Sequence, residues 1–276
     1  MSTPLNQVLF PASLPDVFTV WTRFPNAIPY AGGTNITGKP EIETEGHPPV
    51  YICLDKIEEL HRITRTEHYL EIGAMTKLNR LISLGKIVPE VIRSCLIGVA
   101  GVQVRNIATI GGNICCKSRL LDLPAPLAAL DAQYELRNSQ TIRWVSASRF
   151  HNKDESTTLG KNELLTRIRL PLHQWNYAVY KKFYCENYLN SESLVFLAKT
   201  EKNILSEIRV FFKENVILRN KSGESLLNGN HLPLNRKIAD EFIQNWRDFL
   251  NKYEISEFSK NSLLNSIEEN VYNLTE

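Results

Sequence analysis

The order of hydrophobic patterns along the chain limits its fold more than any other feature. Up to Pro171, short apolar stretches typical of strands alternate with helix signals. Beyond Pro171 three strand-like stretches follow one another, and helical periodicity begins only near Arg236. This order predicts an α+β protein in two parts, residues 1–170 and residues 171–276, of which the second holds an antiparallel sheet with helices.

Caps and spacing place several of these elements. Ser13 is predicted to cap a helix with Pro15 in its first turn, and Thr76 to cap a helix that ends at Gly85. Pro89 is predicted to start a longer helix with one apolar face, formed by Ile92, Cys95, Leu96 and Val99. Strands are predicted in "PVYICLD", "YLEIGAM", "AQYELR", "TIRWVS", "ELLTRIRLPL", "YAVYKKFYCE", "SLVFLAKT" and "SEIRVFF".

Composition excludes several classes of function. Lys+Arg 32 against Asp+Glu 30 leaves a net charge of +2, which indicates no nucleic-acid partner. The N-terminus lacks the pattern of a signal peptide, and no apolar run reaches the roughly 18 residues of a membrane span, so a cytoplasmic protein without membrane insertion is expected. The five cysteines include no C-x-x-C spacing and the histidines are scattered, so we expect no metal site.

Two glycine segments share one form. "PYAGGTNI" (29–36) and "IATIGGNI" (107–114) each have an apolar run, then Gly-Gly, then a small hydroxyl or amide residue. Glycines let backbone N–H groups approach a ligand closely, and consecutive N–H groups that point inward suit phosphate oxygens. Neither segment fits the P-loop or the G-x-G-x-x-G pattern. As a pair, followed by Asp122, they favour a dinucleotide that spans both.

A set of motifs then points to a family. The following motifs occur in this order: "AGGTNI", "IGAMTKLNRL", "VRNIATIGGNI" followed by an acid, "PAPLAALDA" and "ELLTRIRLP". With these motifs the chain resembles the FAD-binding (medium) subunit of molybdenum hydroxylases. This is the flavoprotein type found in xanthine dehydrogenase and carbon monoxide dehydrogenase. The resemblance implies a two-subdomain FAD-binding fold of the PCMH type, like that of vanillyl-alcohol oxidase. Its two α/β subdomains would divide near residue 56.

The resemblance also implies which residues bind the pyrophosphate of FAD. The first segment would comprise Pro29, Tyr30, Ala31, Gly32, Gly33, Thr34, Asn35 and Ile36. The second would comprise Thr109, Ile110, Gly111, Gly112 and Asn113.

Other positions would contact the rest of the cofactor. Val99, on the helix before the second segment, would lie near the isoalloxazine, and Asp122 would accept hydrogen bonds from the sugar-like part. Leu165 would lie against the adenine or flavin region. Lys182 matches a basic residue near the flavin ring, although Lys181 matches equally well if the gap is placed differently.

The implied function is electron transfer. The chain would be an FAD-dependent oxidoreductase subunit that takes electrons from a 2Fe–2S partner subunit and passes them through FAD to NAD or another acceptor. Molybdopterin and the iron–sulfur centre would sit on partner subunits, and no catalytic residue for substrate hydroxylation is expected in this chain. The alternatives are a flavin-poor structural or assembly subunit of such a complex and a stand-alone FAD oxidoreductase.

One segment departs from the family. Between the second glycine pair and Asp122 the family commonly has small residues, whereas this chain has "ICCKSRLL", with Lys117 and Arg119. The arginine that often follows the Y-x-K strand is Glu186 or Asn187 here. The adjacent Cys115 and Cys116 are either plain reduced thiols or a thiol close to the flavin that tunes it or reacts with oxidant.

Overall fold

A computed structural model describes residues 7–35, 50–116, 120–152, 156–184 and 191–275. Within these ranges the strands form three sheets, each with its own hydrophobic core. The predicted α+β class is confirmed. None of the helices in these ranges has the length and apolar character needed to cross a bilayer.

The first sheet is parallel and small. Its strands are β1 (Gln7–Leu9), β2 (Ile28–Tyr30) and β3 (Val50–Cys53), in the order β1-β3-β2. Helix α1 (Leu14–Arg23) connects β1 to β2, and the Ser13 hydroxyl caps it by accepting from the Asp16 N–H, as predicted. Trp21 packs in the core and donates from Nε1 to the Ala27 carbonyl at 2.8 Å, which holds the start of β2 against the helix.

The second sheet is antiparallel, in the order β4-β5-β8-β6-β7. Its strands are β4 (Ile63–Arg65), β5 (Tyr69–Gly73), β6 (Gln133–Arg137), β7 (Ile142–Ser146) and β8 (Leu164–Pro171). Between β5 and β6 the chain forms α2 (Leu78–Ser83), α3 (Glu90–Ile97), α4 (Val102–Ile107), α5 (Ile110–Ile114) and α6 (Pro124–Ala129). Short 3₁₀ turns occupy Glu58–His61, Gly85–Ile87 and Ala147–Arg149. These helices cover the sheet and enclose the largest core.

The third sheet is also antiparallel, in the order β12-β11-β10-β9. Its strands are β9 (Tyr177–Tyr184), β10 (Ser191–Glu201), β11 (Ile204–Lys213) and β12 (Ile217–Arg219). It is followed by α7 (Lys221–Leu227), α8 (Arg236–Leu250) and α9 (Glu257–Tyr272). One face packs on these helices, while Val195, Leu197 and Phe211 on the other face join the core of the second sheet. The division at residue 171 therefore stays a prediction, as does the one near residue 56.

Two helix assignments from the sequence are wrong. Lys77, not Thr76, is the N-cap of α2, because Thr76 instead gives its carbonyl to the Ile110 N–H at 3.0 Å. Helix α3 ends at Ile97, and Gly98 caps it, so Val99 lies beyond the helix. Val99 is nevertheless buried, since the chain turns back toward the same core after Gly98.

The different burial of two phenylalanines predicts effects on stability of different size. Phe242 on α8 is 0% exposed, whereas Phe258 on α9 is 64% exposed. Phe242→Ala should lower the free energy of unfolding by about 3 to 5 kcal/mol, because it leaves a cavity in the core of the third sheet. Phe258→Ala, the matched control, should change it by less than about 0.5 kcal/mol. Urea denaturation of both variants measures the difference, and equal values would contradict the placement of α8.

Candidate functional site

The first glycine segment follows directly from β2 and lies against the second. A Cβ atom at Gly32 would collide with the carbonyl oxygen of Ile107 and would lie 3.0 Å from the Cα of Ala108. The backbones of two segments far apart in the sequence are therefore in contact, and only glycine permits that approach.

Gly33 makes the turn at this contact. Its φ is +69°, a left-handed conformation that L-residues rarely adopt, and a side chain there would run into the Tyr30 hydroxyl. Thr34 and Asn35 follow, both half-buried, so the segment carries uncharged polar side chains beside the glycine turn. Of the predicted site residues, Ile36 lies outside the described residues.

The second glycine segment is the start of a helix, α5. Thr109 caps α5, and its hydroxyl accepts from the Gly112 N–H at 3.0 Å. The N–H groups of Ile110 and Gly111 donate to the carbonyls of Thr76 and Ala74, at 3.0 and 2.9 Å. These backbone donors are thus bonded within the chain, and they fix the segment to the residues that follow β5.

Asn113 connects this segment to Asp122. Its side chain is buried, and Oδ1 accepts from the N–H of Leu123 at 3.2 Å. The residue that the sequence suggested as a ligand donor therefore holds the backbone next to the predicted acid. Gly112, in contrast, is exposed.

Asp122 and Lys182, predicted separately, form an ion pair. Lys182 Nζ lies 3.0 Å from Asp122 Oδ2 and donates to the carbonyl of Gly98 at 3.1 Å. The Ser191 hydroxyl donates to the other carboxylate oxygen, Oδ1, at 2.6 Å. Both members of the pair are almost buried, so solvent screens their attraction little. Of the two neighbouring lysines, only Lys182 pairs with Asp122. Lys181 is exposed and pairs with Glu269.

Two predicted contact residues lie in the core. Val99 is next to Gly98, and its carbonyl accepts from Arg105 at 2.7 Å. The same guanidinium nitrogen donates to the carbonyls of Ile97 and Ala100, so Arg105 holds this turn in place. Leu165 lies on β8 opposite Leu136, buried in the core of the second sheet.

The cysteines divide between the core and its edge. Cys95 is buried on α3, as its helical spacing predicted, and burial raises the pKa of its thiol far above the usual range. Cys116 is buried, and Cys115 packs half-buried against the same core. Lys117 and Arg119 lie outside the described residues, as do Glu186 and Asn187.

The site is therefore one continuous series of contacts. It runs from the first glycine segment to the second, through Asn113 to Asp122, and on to Lys182 and the turn at Gly98. Sequence reasoning missed Ser191, Arg105 and the buried Lys213, whose ammonium donates to the Ser191 carbonyl. Arg105 lies within the motif "VRNIATIGGNI", but the motif does not reveal its role, whereas no local motif marks Ser191 or Lys213, which are defined by contacts between distant elements.

Comparison with known proteins gives a consistent picture. A family model described as the FAD binding domain in molybdopterin dehydrogenase matches residues 4–173. The chain is 30% identical over 166 residues to the xanthine dehydrogenase FAD-binding subunit of Escherichia coli O157:H7, covering 58% of this chain and 56% of that protein. It is 31% identical over 166 residues to the carbon monoxide dehydrogenase medium chain of Afipia carboxidovorans, covering 59% and 57%. The matched region thus spans a little over half the length of these relatives.

Solved structures share the whole fold. Carbon monoxide dehydrogenase from Hydrogenophaga pseudoflava gives a TM-score of 0.83 at 22% identity, covering 99% of this chain and 98% of that one. Quinoline 2-oxidoreductase from Pseudomonas putida 86 gives 0.82 at 21% identity, covering 100% and 98%. At such identities the likeness is one of fold.

The two neighbouring lysines predict contrasting effects on stability. Lys182→Met removes the cation from a nearly buried pair and leaves Asp122 short of a partner, which should lower the free energy of unfolding by about 3 kcal/mol. Lys181→Met breaks only an exposed pair with Glu269 and should cost less than about 1 kcal/mol. Thermal and urea unfolding of both variants provide the comparison. A larger loss for Lys181→Met would show that the two side chains are exchanged.

Proposed function

The chain belongs to the family of FAD-binding domains of molybdopterin dehydrogenases, and we propose that it is the FAD-carrying electron-transfer subunit of a molybdenum hydroxylase complex. In this role it takes electrons from a 2Fe–2S partner subunit and passes them, by way of its FAD, to NAD or another acceptor. When bound, the flavin supplies the redox chemistry, while the protein supplies binding, orientation and electrostatics. The iron–sulfur and molybdopterin cofactors belong to partner subunits.

The observation that carries the proposal is the contact between the two glycine segments. Gly32 lets the backbone lie against Ile107 and Ala108, which a side chain there would prevent. Gly33 makes the turn at a φ of +69°, where a side chain would run into Tyr30. A single ligand can therefore reach both segments. Thr34, Asn35 and Thr109 offer hydroxyl and amide groups there, which can bind phosphate oxygens without fixed charge. The residues present fit a pyrophosphate.

We assign the rest of FAD to residues further along the same series of contacts. Residues 29–36 and 109–113 would hold the pyrophosphate, and Asp122 would accept hydrogen bonds from the sugar-like part. Val99 and Lys182 would lie near the flavin ring, and Leu165 against the adenine or flavin region. Lys182 has the chemistry for that position because its ammonium is held between Asp122 and the Gly98 carbonyl and is almost excluded from water.

The names of the relatives support the partners in this proposal. The matched proteins are an FAD-binding subunit and a medium chain, names that denote one member of a multi-subunit enzyme. Electrons would then enter from a chain docked beside the flavin, and the substrate pocket would belong to another chain.

A flavin-poor structural subunit is the second candidate, and one observation favours it. The backbone N–H groups of Ile110, Gly111 and Gly112 already donate within the chain, and both oxygens of Asp122 accept from protein groups. A ligand must share or replace some of these bonds, so the segment could keep the fold without tight FAD binding. Absorption of the purified full chain separates the two candidates. A flavin spectrum, alone or after added FAD, supports the first, and colourless protein that takes up no FAD supports the second.

Gly33 provides a direct test of the cofactor site. Gly33→Val places a β-branched residue at a φ of +69° and against Tyr30, so it should abolish FAD retention. Gly85→Val is the matched control: its φ is +59°, but nothing lies within 4 Å of a Cβ there, and it belongs to neither segment. The flavin-to-protein ratio of each purified variant is the measurement. Full flavin content in Gly33→Val would contradict the assignment of the first segment.

Purification of the complex tests the proposed partners. A tagged chain isolated from its native cell should co-purify with chains that carry iron–sulfur absorbance and a releasable molybdopterin. Anaerobic addition of NADH should then bleach the flavin band if NAD is the acceptor, and leave it unchanged if another acceptor serves. Flavin-containing protein that stays without partners under these conditions would contradict the subunit role and favour a stand-alone flavoprotein.

A further inference from the structure

Three strands of the third sheet place two lysines on the face that meets the candidate site. In the strand register Lys182 on β9 is opposite Ser193 on β10, and Ser193 is opposite Lys213 on β11. Directly paired residues lie on the same face of a sheet, so the three side chains form a row. Further along the same face, Val195, Leu197 and Phe211 pack in the apolar core. The row is therefore the polar end of an otherwise apolar contact.

Lys213 reaches Asp122 through Ser191. The Lys213 ammonium donates to the Ser191 carbonyl, and Nζ also lies 3.4 Å from the Ser191 hydroxyl oxygen. That hydroxyl donates to Asp122 Oδ1 at 2.6 Å. Lys182 holds the other oxygen, so each oxygen of the carboxylate has its own fixed donor.

Lys213 is unusual in its burial. The residue is 1% exposed, and within the described parts of the chain it makes no ion pair at contact distance. Burial lowers the pKa of its ammonium; the charge of Lys182 adds to this effect, while Asp122 and Glu192 oppose it. Glu192 lies on the opposite face, where it accepts from Ser259 of α9 at 2.5 Å. A hydrocarbon side chain would fill such a place at a lower desolvation cost, so the lysine serves something other than packing.

We propose that Lys213 is a positioning residue of the flavin site: it fixes Ser191, and through it the carboxylate of Asp122, and it supplies a second buried cation beside Lys182. The inference rests on the proposed function, because it takes Asp122 and Lys182 to lie at the cofactor.

The charge of this cluster has a consequence for the cofactor. With Lys213 protonated, two lysines and one aspartate leave one positive charge in this cluster. Reduction of a flavin adds negative charge, and a nearby cation in a water-poor site favours that state. Lys213 therefore raises the midpoint potential of the bound flavin as well as its affinity.

The test compares charge removal with charge retention at one position. In the full chain, Lys213→Met should weaken FAD binding about tenfold, the loss equivalent to one charge-assisted hydrogen bond, and should shift the midpoint potential to a more negative value. Lys213→Arg, which keeps the charge, should restore the potential toward the wild-type value. Ser191→Ala should weaken binding but move the potential less, because the cation stays. Lys199→Met, which removes an exposed lysine of β10, is the control and should change neither.

The readouts are titration of the apoprotein with FAD, redox titration of the bound flavin, and thermal unfolding of the apoprotein. If Lys213 only supported packing, Met and Arg variants would lose stability and affinity together with no change in potential, and the inference would be wrong. Lys213→Gln replaces the Met variant if the latter does not fold. Wild-type protein that takes up no FAD overturns the proposed function itself, whereas wild-type binding with an unaltered Lys213→Met variant overturns only the role of Lys213.

Discussion

The contact between Gly32 and the backbone of Ile107 and Ala108 is the constraint on which the rest of the site depends. It joins the turn after β2 to the segment that enters α5, so two parts of the chain present one surface. Because carbonyl and Cα atoms lie where a Cβ would be, the approach tolerates only glycine at position 32. The other contacts of the site, from Asn113 to Lys182, continue from the segment that Gly32 touches.

Asp122 is the second junction, and it joins the second and third sheets. One oxygen accepts from a lysine of β9 and the other from a serine of β10, while the neighbouring backbone N–H of Leu123 is held by Asn113 of α5. Burying charge in this way costs desolvation energy that is offset only when each group has a partner. The geometry of the ion pair and the packing of the third sheet on α3 and α6 therefore depend on each other.

The arrangement suits a domain that binds a cofactor and leaves the chemistry to it. The described site residues offer glycine turns, uncharged donors, one carboxylate and buried ammonium groups, which bind and orient a ligand and bias its charge. Such a set matches the family to which the chain belongs. The difference from an open glycine loop is that α5 begins at the second pair, so much of its donor capacity already serves the fold.

The features that could be predicted from the sequence depend on interactions between residues that are close together in the chain. The cap at Ser13, strands β5 to β11 and the core position of Cys95 follow from side-chain hydrogen bonding and from periods of two or 3.6 residues, whereas β4 and β12 were not predicted. The predicted cap of α2 at Thr76 is wrong for the opposite reason. The Thr76 carbonyl accepts from the N–H of Ile110, which is distant in the sequence, and the helix begins one residue later.

The sequence by itself determined the fold class, the two glycine segments, the acid after them and the family they indicate. Only the tertiary structure decided that Gly32 touches Ile107, that Lys182 rather than Lys181 pairs with Asp122, and that Lys213 is buried beside them. Alternation along β9 sends adjacent lysines to opposite faces, but it does not say which face meets the acid. That choice depends on how the third sheet packs against α3 and α6, a contact between residues far apart in the chain.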